Sequence, residues 1–180
     1  MQPKRNQPLL ITWLLFLMCS NVAAQNFAVS AIPEKLLKSA NSVIRQAALT
    51  VKINEKHVME VSRTWTITVL NKSGNRHLDT YEVYSNAEKI THFSAVVFDA
   101  NGWEIKKFKK GDFQDVSVVN QGTLFSDYRA QFLNYTPVRY PYTMQFKVIT
   151  RSINTAFIPS WSPISYYHQS LEQSHYYLQY

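Results

Sequence analysis

Aromatic side chains in the last fifth of the chain are the residues best suited to binding a ligand. Trp161 lies between two prolines in the segment PSWSP, and Tyr166 and Tyr167 follow closely. An indole and two phenol rings on a rigid loop could stack against a sugar or a peptide side chain. The alternative is that Trp161 folds back and closes one end of the hydrophobic core, a common role for a loop tryptophan. The sequence leaves both interpretations open.

Three aspartates could supply the hard oxygen ligands that calcium prefers. Asp112, Asp115 and Asp127 lie in a stretch that mixes loop and strand character. Aspartates in such stretches more often cap turns or face water. We treat these three as weak calcium candidates and predict no other metal site.

Side chains for catalysis are not grouped in the sequence. The five histidines are scattered without metal-binding spacing, the four glycines form no phosphate-binding loop, and no GxSxG motif is present. Cys19 is the only cysteine. We therefore expect no catalytic residue and no cofactor, and we predict a protein that is not an enzyme.

The first 24 residues have the pattern of a secretory signal peptide. Lys4 and Arg5 precede an apolar run over residues 9–18, and small residues occupy positions 22–24. The run is shorter than the ~20 residues that span a bilayer. An uncleaved N-terminal anchor is the alternative. We expect export to the periplasm or the extracellular space, with no transmembrane span and no cysteine after cleavage.

The positive charge does not indicate a nucleic-acid partner. The formal net charge is +7, and the only basic cluster consists of Lys106, Lys107, Lys109 and Lys110. For an exported domain, such a cluster is typical of a solvated hairpin end. We predict no nucleic-acid binding.

One helix is predicted at the start of the domain, over residues 32–44. Pro33 suits a first helical turn, Glu34 follows it, and apolar residues recur at helical spacing through Ile44. Serine and asparagine at positions 39–42 weaken the pattern. We expect a helix of two or three turns.

From residue 49 onward, apolar residues recur with the period of two that is typical of strands. Residues 93–108 form the clearest hairpin: Asp99 can cap the turn, Gly102 accepts a left-handed conformation, and Trp103 and Ile105 lie on the apolar side of the second strand. Residues 111–127 give no clear assignment. We predict strands over residues 49–53, 59–69, 77–84, 93–98, 103–108, 130–133, 142–151 and 171–180.

Short strands, one helix and few glycines predict the fold class. About eight strands separated by turns are typical of an all-β, antiparallel, immunoglobulin-like β-sandwich. The length allows one such domain over residues 25–180, with enough residues for a packed core.

The order of these landmarks resembles a known family. The segments IPEKLLKSANSVIR, TVLNKSG, FDANGWEIKKFKKGDF, YPYTMQFKV, FIPSW and SLEQSHYYL occur as in the domain of unknown function at the N-terminus of secreted bacterial transglutaminase-like proteins, chiefly of Gram-negative bacteria. The resemblance covers residues 30–180 and includes no catalytic signature. It implies a non-catalytic β-sandwich followed by a papain-like transglutaminase core with a Cys-His-Asp triad.

That triad cannot be placed on this chain, because residues 25–180 contain no cysteine. The resemblance therefore implies either the N-terminal part of a longer protein or a stand-alone copy of the accessory domain. A final strand without a polar tail favours the first interpretation. We expect an exported accessory domain that packs against or positions a transglutaminase-like or peptidase-like core in the same or a neighbouring polypeptide. The alternative is a carbohydrate- or peptide-binding module that uses the aromatic platform around Trp161.

Overall fold

The computed structural model describes residues 27–54, 57–118 and 127–180. The predicted signal peptide, residues 1–24, lies outside the described residues, as does the part of the unassigned stretch at 119–126. No helix in the described part of the chain has the length and apolar character needed to cross a membrane.

The described chain is built mainly of strands. Short 3₁₀ helices occur at Val29–Ala31, Lys72–His77 and Lys110–Asp112. The remaining elements are α1 (Glu34–Leu37), β1 (Ser42–Ile53), β2 (Met59–Val69), β3 (Tyr81–Tyr84), β4 (Glu88–Phe98), β5 (Glu104–Phe108), β6 (Gln114–Ser117), β7 (Arg129–Phe132), β8 (Tyr142–Ser152), β9 (Gln169–Leu171) and β10 (Ser174–Gln179).

These strands form two sheets. The large sheet has the order β10-β1-β2-β8-β4-β5, with β9 also paired to β1, and the small sheet has the order β3-β7-β6. Buried residues from the large sheet meet residues around the small sheet in one core, where Phe93 stacks on Phe113 with ring centroids 3.9 Å apart. The predicted sandwich is confirmed in this coarse form: a mostly β chain in two facing sheets.

Several elements agree with the prediction from sequence. β2 has the predicted bounds, β8 differs by one residue, and the hairpin of β4 and β5 turns at the predicted place. Gly102 has φ +85°, and the Asp99 carboxylate accepts hydrogen bonds from the backbone N–H groups of Asn101 and Trp103, each at 2.9 Å. Local turn chemistry fixes this hairpin.

The predicted N-terminal helix is too long. α1 spans only four residues, and β1 begins at Ser42, so Val43 and Ile44 belong to a strand. All four residues from Ser42 to Arg45 are buried, and the pairing register shifts between Ile44 and Gln46. Burial on both faces and a bulge together hide the period of two that marks a strand.

The predicted antiparallel pairing is wrong at one edge of the large sheet. β9 and β10 both run parallel to β1, whereas the other strand pairs are antiparallel. A parallel neighbour requires a crossover connection. The loop between β8 and β9 provides it, and this loop carries Trp161 and Tyr166 across the open side of the sandwich.

Two further strand predictions need correction. The third strand begins at Tyr81, since residues 72–77 form a 3₁₀ helix that includes His77. The second strand of the hairpin has no buried apolar side at its start: Trp103 is 72% exposed and Ile105 is 57% exposed. β5 lies at the edge of the large sheet, and of its five residues only Phe108 is buried.

The other face of the large sheet carries polar side chains. Thr68 and Thr143 share a hydrogen bond of 2.8 Å between their hydroxyl groups, and Gln145 donates to the Thr66 hydroxyl at 3.1 Å. The alternation along β2 therefore puts threonines on one face and Trp65 and Ile67 on the other. The apolar face forms both the core and the floor of the cleft described next.

Candidate functional site

A cleft of about 320 Å³ opens between the apolar face of the large sheet and strand β3. Its floor comes from alternate residues of three neighbouring strands, which share one face of the sheet. Its walls come from β3, from the 3₁₀ helix before it and from the loop between β8 and β9. The cleft is lined by Ile44, Arg63, Trp65, Ile67, His77, Asp79, Tyr81, Glu82, Val83, Phe146, Val148, Pro163, Ser165, Tyr166 and Gln169.

His77 lies at the inner wall of this cleft. Its ring is 1% exposed, its Nδ1 lies 2.8 Å from the Ser42 hydroxyl, and its Nε2 has no hydrogen-bond partner among the described residues. Burial is the main cause that lowers the pKa of His77, and the nearby Arg76 charge adds to it. The imidazole is therefore neutral at pH 7.

Tyr166 covers the face of the His77 ring. The two rings stack with centroids 5.0 Å apart and planes 15° from parallel. The Tyr166 hydroxyl donates to the Asp79 carboxylate at 2.8 Å, and this bond, together with burial, raises the pKa of Tyr166 to about 12. The tyrosine thus stays neutral and fixes the loop between β8 and β9 to the segment before β3.

An ion pair crosses the cleft between the two sheets. Arg63 on β2 donates to Glu82 on β3 at 2.5 Å, with side-chain exposures of 26% and 15%. Burial raises the pKa of Glu82, and the Arg63 charge partly offsets this effect. The pair joins the sheets and leaves little net charge at the rim.

The arrangement is suited to binding more than to catalysis. Ser42 and His77 form a serine–histidine pair, but the Ser42 hydroxyl is fully buried and also accepts a hydrogen bond from Gln169 at 3.4 Å. A nucleophile must reach its substrate. An apolar floor with a few polar groups at the wall is instead typical of a ligand-binding cleft.

The structure separates the three aromatic residues predicted from the sequence. Trp161 packs against Trp65, with ring centroids 5.3 Å apart, and its Nε1–H donates to the Ser174 hydroxyl at 2.8 Å. It is partly buried and packs against the core. Tyr166 lines the cleft, and Tyr167 is 92% exposed. The three rings therefore do not form one platform.

The three calcium candidates are not grouped around one site, and Asp112 and Asp115 each have other hydrogen-bond partners. Asp112 accepts from the backbone N–H of Lys109 at 2.7 Å, within a 3₁₀ helix. Asp115 accepts from Tyr84 at 2.6 Å and from Arg129 at 2.8 Å. Over residues 27–54, 57–118 and 127–180, no three His, Cys, Asp or Glu side chains are grouped as a metal site would require. Asp127, which is exposed, does not join the other two.

Of the residues that define the cleft, the sequence analysis named Tyr166 and missed the two pairs Ser42–His77 and Arg63–Glu82. His77 and Ser42 are 35 positions apart, and Arg63 and Glu82 are 19 apart. None of these spacings corresponds to a motif. A basic residue at Arg63, between the apolar Val61 and Trp65 on one face of β2, was the only signal available.

Comparison with known proteins places the chain in a family. Residues 41–180 match the family described as a domain of unknown function with a solved structure, DUF3857, and the chain belongs to this family. No curated protein matches the chain.

Two solved structures are similar to parts of the chain. The first is a "putative protease" from Parabacteroides distasonis ATCC 8503, with a TM-score of 0.52, 10% identity, and coverage of 68% of this chain and 24% of that chain. The second is Legionella pneumophila aminopeptidase A in complex with aspartic acid, with a TM-score of 0.27, 11% identity, and coverage of 67% and 11%. The first similarity concerns the fold alone, and the second is too loose to support an argument. The chain spans about a quarter of the length of the first structure.

Proposed function

We propose that this protein is an exported, non-catalytic accessory domain that packs against and positions a transglutaminase-like or peptidase-like core. One observation carries the proposal: exposed large apolar side chains are concentrated in one part of the chain. Nine of the seventeen in the described residues fall within the last 28 positions. These nine are Ile153, Phe157, Ile158, Ile164, Tyr167, Tyr176, Tyr177, Leu178 and Tyr180.

Exposed apolar side chains are more frequent in this part of the chain than in the rest of it. Single exposed apolar residues are normal, whereas a group of them marks a surface that contacts another molecule. Phe157 is 77% exposed and Tyr177 is 69% exposed. They lie on two segments, the loop after β8 and strand β10, which the Trp161–Ser174 hydrogen bond connects. We propose that these nine residues form one surface, and we name it the C-terminal apolar surface.

Two further points support an accessory role. The chain is similar in fold to about a quarter of a larger protein described as a protease. Residues 25–180 contain no cysteine, so a thiol-dependent reaction requires a core from elsewhere. An immunoglobulin-like connectivity, predicted from the sequence, remains part of this proposal.

The test uses the exported protein and a transglutaminase-like core encoded in the same or the neighbouring reading frame. We expect the two to form a complex in analytical ultracentrifugation. Phe157→Lys with Tyr177→Lys should weaken the complex by about tenfold or more, because each change replaces an exposed apolar side chain of the proposed surface with a charge. The matched control is Val138→Lys, in the loop between β7 and β8, where Val138 is 92% exposed.

A second measurement tests the absence of catalysis. The exported protein alone should neither incorporate amines into glutamine substrates nor cleave peptides above a heat-inactivated control. Turnover that survives repurification and disappears with one side-chain substitution would contradict the accessory role. Equal weakening of the complex by the Val138→Lys control would also contradict the proposed surface.

A further inference from the structure

We propose that the cleft between β3 and the loop that joins β8 to β9 binds an extended peptide. The peptide pairs with the free edge of β3 and places an apolar side chain on the floor formed by Trp65, Ile67 and Phe146. This inference does not depend on the accessory role proposed above.

The first observation is the position of β3 in its sheet. β3 is the end strand of the small sheet, and among the described strands its ladder partner is β7. Three consecutive residues, Tyr81, Glu82 and Val83, all line the cleft. Successive side chains of a strand point to opposite faces, so a cleft that touches all three lies along the edge of the strand. Such an edge has backbone groups ready to pair with an incoming strand.

The second observation is the apolar floor beside that edge. Ile67 and Phe146 are neighbours on adjacent strands and are almost fully buried, while Trp65 is partly buried. The cleft volume of about 320 Å³ is near the lower limit for ligand sites. It is therefore suited to one apolar side chain and a short length of backbone. An extended peptide supplies such a side chain at every second position.

The third observation is the unused nitrogen of His77. The side-chain amide of Gln169 donates a hydrogen bond to the Ser42 hydroxyl oxygen. The Ser42 hydroxyl proton also needs an acceptor, and His77 Nδ1 is the one within reach. This tautomer leaves the proton on Nε2, which is buried, has no partner among the described residues and needs an acceptor. Since Nε2 is closed to water in the folded protein, we expect a peptide carbonyl to bond to it directly, after a shift of the side chains around it.

The charges of the cleft favour a neutral acceptor. Arg63 is already paired with Glu82, and the Asp79 carboxylate lies on the same wall. A ligand carboxylate would be placed near two carboxylates with no free cation among these lining residues, which is unfavourable in a partly dry site. The amide carbonyl of an internal peptide segment has no such cost. The cleft thus selects a segment within a chain over a free amino acid or a peptide terminus.

The test is an NMR titration of the ¹⁵N-labelled exported protein. The first probe is the capped pentapeptide acetyl-Thr-Val-Phe-Val-Thr-amide, and the second has Asp in place of Phe. Two small probes, N-acetylphenylalanine amide and N-acetylphenylalanine, carry the Phe side chain without an extended backbone. They show whether binding needs only that side chain or also pairing with β3. We expect the first pentapeptide to shift the amide signals of Tyr81 and Val83 and the Trp65 indole signal. It should bind about tenfold or more tightly than each of the other three probes.

A variant that fills the cleft, compared with a matched variant outside it, separates a loss of binding from a loss of folding. Ser165 lines the cleft from an exposed loop, so Ser165→Trp should weaken the pentapeptide about tenfold or more without touching the core. Ser160 lies in the same loop, is also exposed and is outside the cleft lining, so Ser160→Trp should bind the pentapeptide within about twofold of the wild type.

Three results would overturn the proposal. The first is no binding of the Phe pentapeptide at millimolar concentration. The second is equal binding of the Phe and Asp pentapeptides. The third is a set of shifts confined to β5 or β10, the edge strands of the large sheet. Each result is independent of the C-terminal apolar surface, because no catalytic core is present and the two sets of variants share no residue.

Discussion

Gly102 shows how one residue ties the central hairpin to the N-terminal segment. Its φ of +85° lies in the left-handed region, and a Cβ atom added there would lie 2.8 Å from the backbone nitrogen of Ala28. A side chain is therefore opposed both by backbone conformation and by contact with another segment.

We expect Gly102→Val to lower the free energy of unfolding by roughly 1–2 kcal/mol or more. The control is Gly111→Val, because a Cβ at Gly111 meets nothing within 4 Å. Urea melts of both variants measure the difference. Equal and small losses would show that the turn does not need glycine.

His77 is the residue whose protonation should matter most for stability. Burial lowers its pKa in the folded protein below the ordinary value of 6.5. As the pH falls below 6.5, the unfolded chain takes up a proton that the folded protein resists. The stability contributed by neutral His77 is therefore complete above pH 6.5 and is lost as the pH falls toward the folded pKa.

The free energy of unfolding should thus decline between pH 7.5 and pH 5, by at most about 1.4 kcal/mol per pH unit for this one proton. His77→Gln should flatten this slope. His92→Gln, which replaces an exposed histidine, should keep the slope of the wild type. A slope unchanged by His77→Gln would mean that other groups cause the decline.

At the scale of elements, the parallel edge of the large sheet depends on one nearly buried charge pair. Arg45 on β1 donates to Glu172, between β9 and β10, at 2.6 Å, and their side chains are 8% and 22% exposed. Glu172 also gives its backbone N–H to the Ile44 carbonyl at 2.8 Å. This connection holds both C-terminal strands to β1.

Glu172→Ala should destabilise the protein by about 3 kcal/mol, because it removes the carboxylate from a buried guanidinium. Glu60→Ala breaks the exposed pair with Arg151, whose exposures are 39% and 57%, and should cost no more than about 1 kcal/mol. Hydrogen exchange should become faster in residues 169–179 of the first variant. Similar losses in both variants would show that the Arg45 pair has no special role.

At the scale of the whole molecule, the two proposed surfaces share the loop between β8 and β9. The cleft is lined by the two sheets and the loop between β8 and β9, while the C-terminal apolar surface combines this loop with β10. Trp161 contacts both the core and β10, since it packs against Trp65 and donates a hydrogen bond to Ser174. A core domain docked on β10 would therefore be near the loop that forms one wall of the cleft.

Export is a prediction for the whole molecule. The basic start, the apolar run over residues 9–18 and the small residues at 22–24 favour cleavage before Gln25. N-terminal sequencing of the exported protein should begin within about two residues of Gln25. A mature protein that retains Met1 would contradict the prediction.

The sequence by itself determined the features that depend on neighbouring residues. The alternation in β2 and β8 predicted both strands almost to the residue, because one face of each meets the core and the other is polar. The turn at Asp99 and Gly102 was predictable because its hydrogen bonds lie within five residues of each other. Local chemistry was sufficient in both cases.

The tertiary structure alone decided which distant residues meet. The start of β1 was hidden because its residues are buried on both faces and a bulge interrupts their period. The parallel position of β9 and β10 depends on a long crossover, which no local pattern records. His77 acquires its buried nitrogen only when Ser42 and Tyr166, at sequence distances of 35 and 89 residues, close around it. Contacts at such separations are set by the packing of whole sheets, so the cleft could be recognised only from the folded chain.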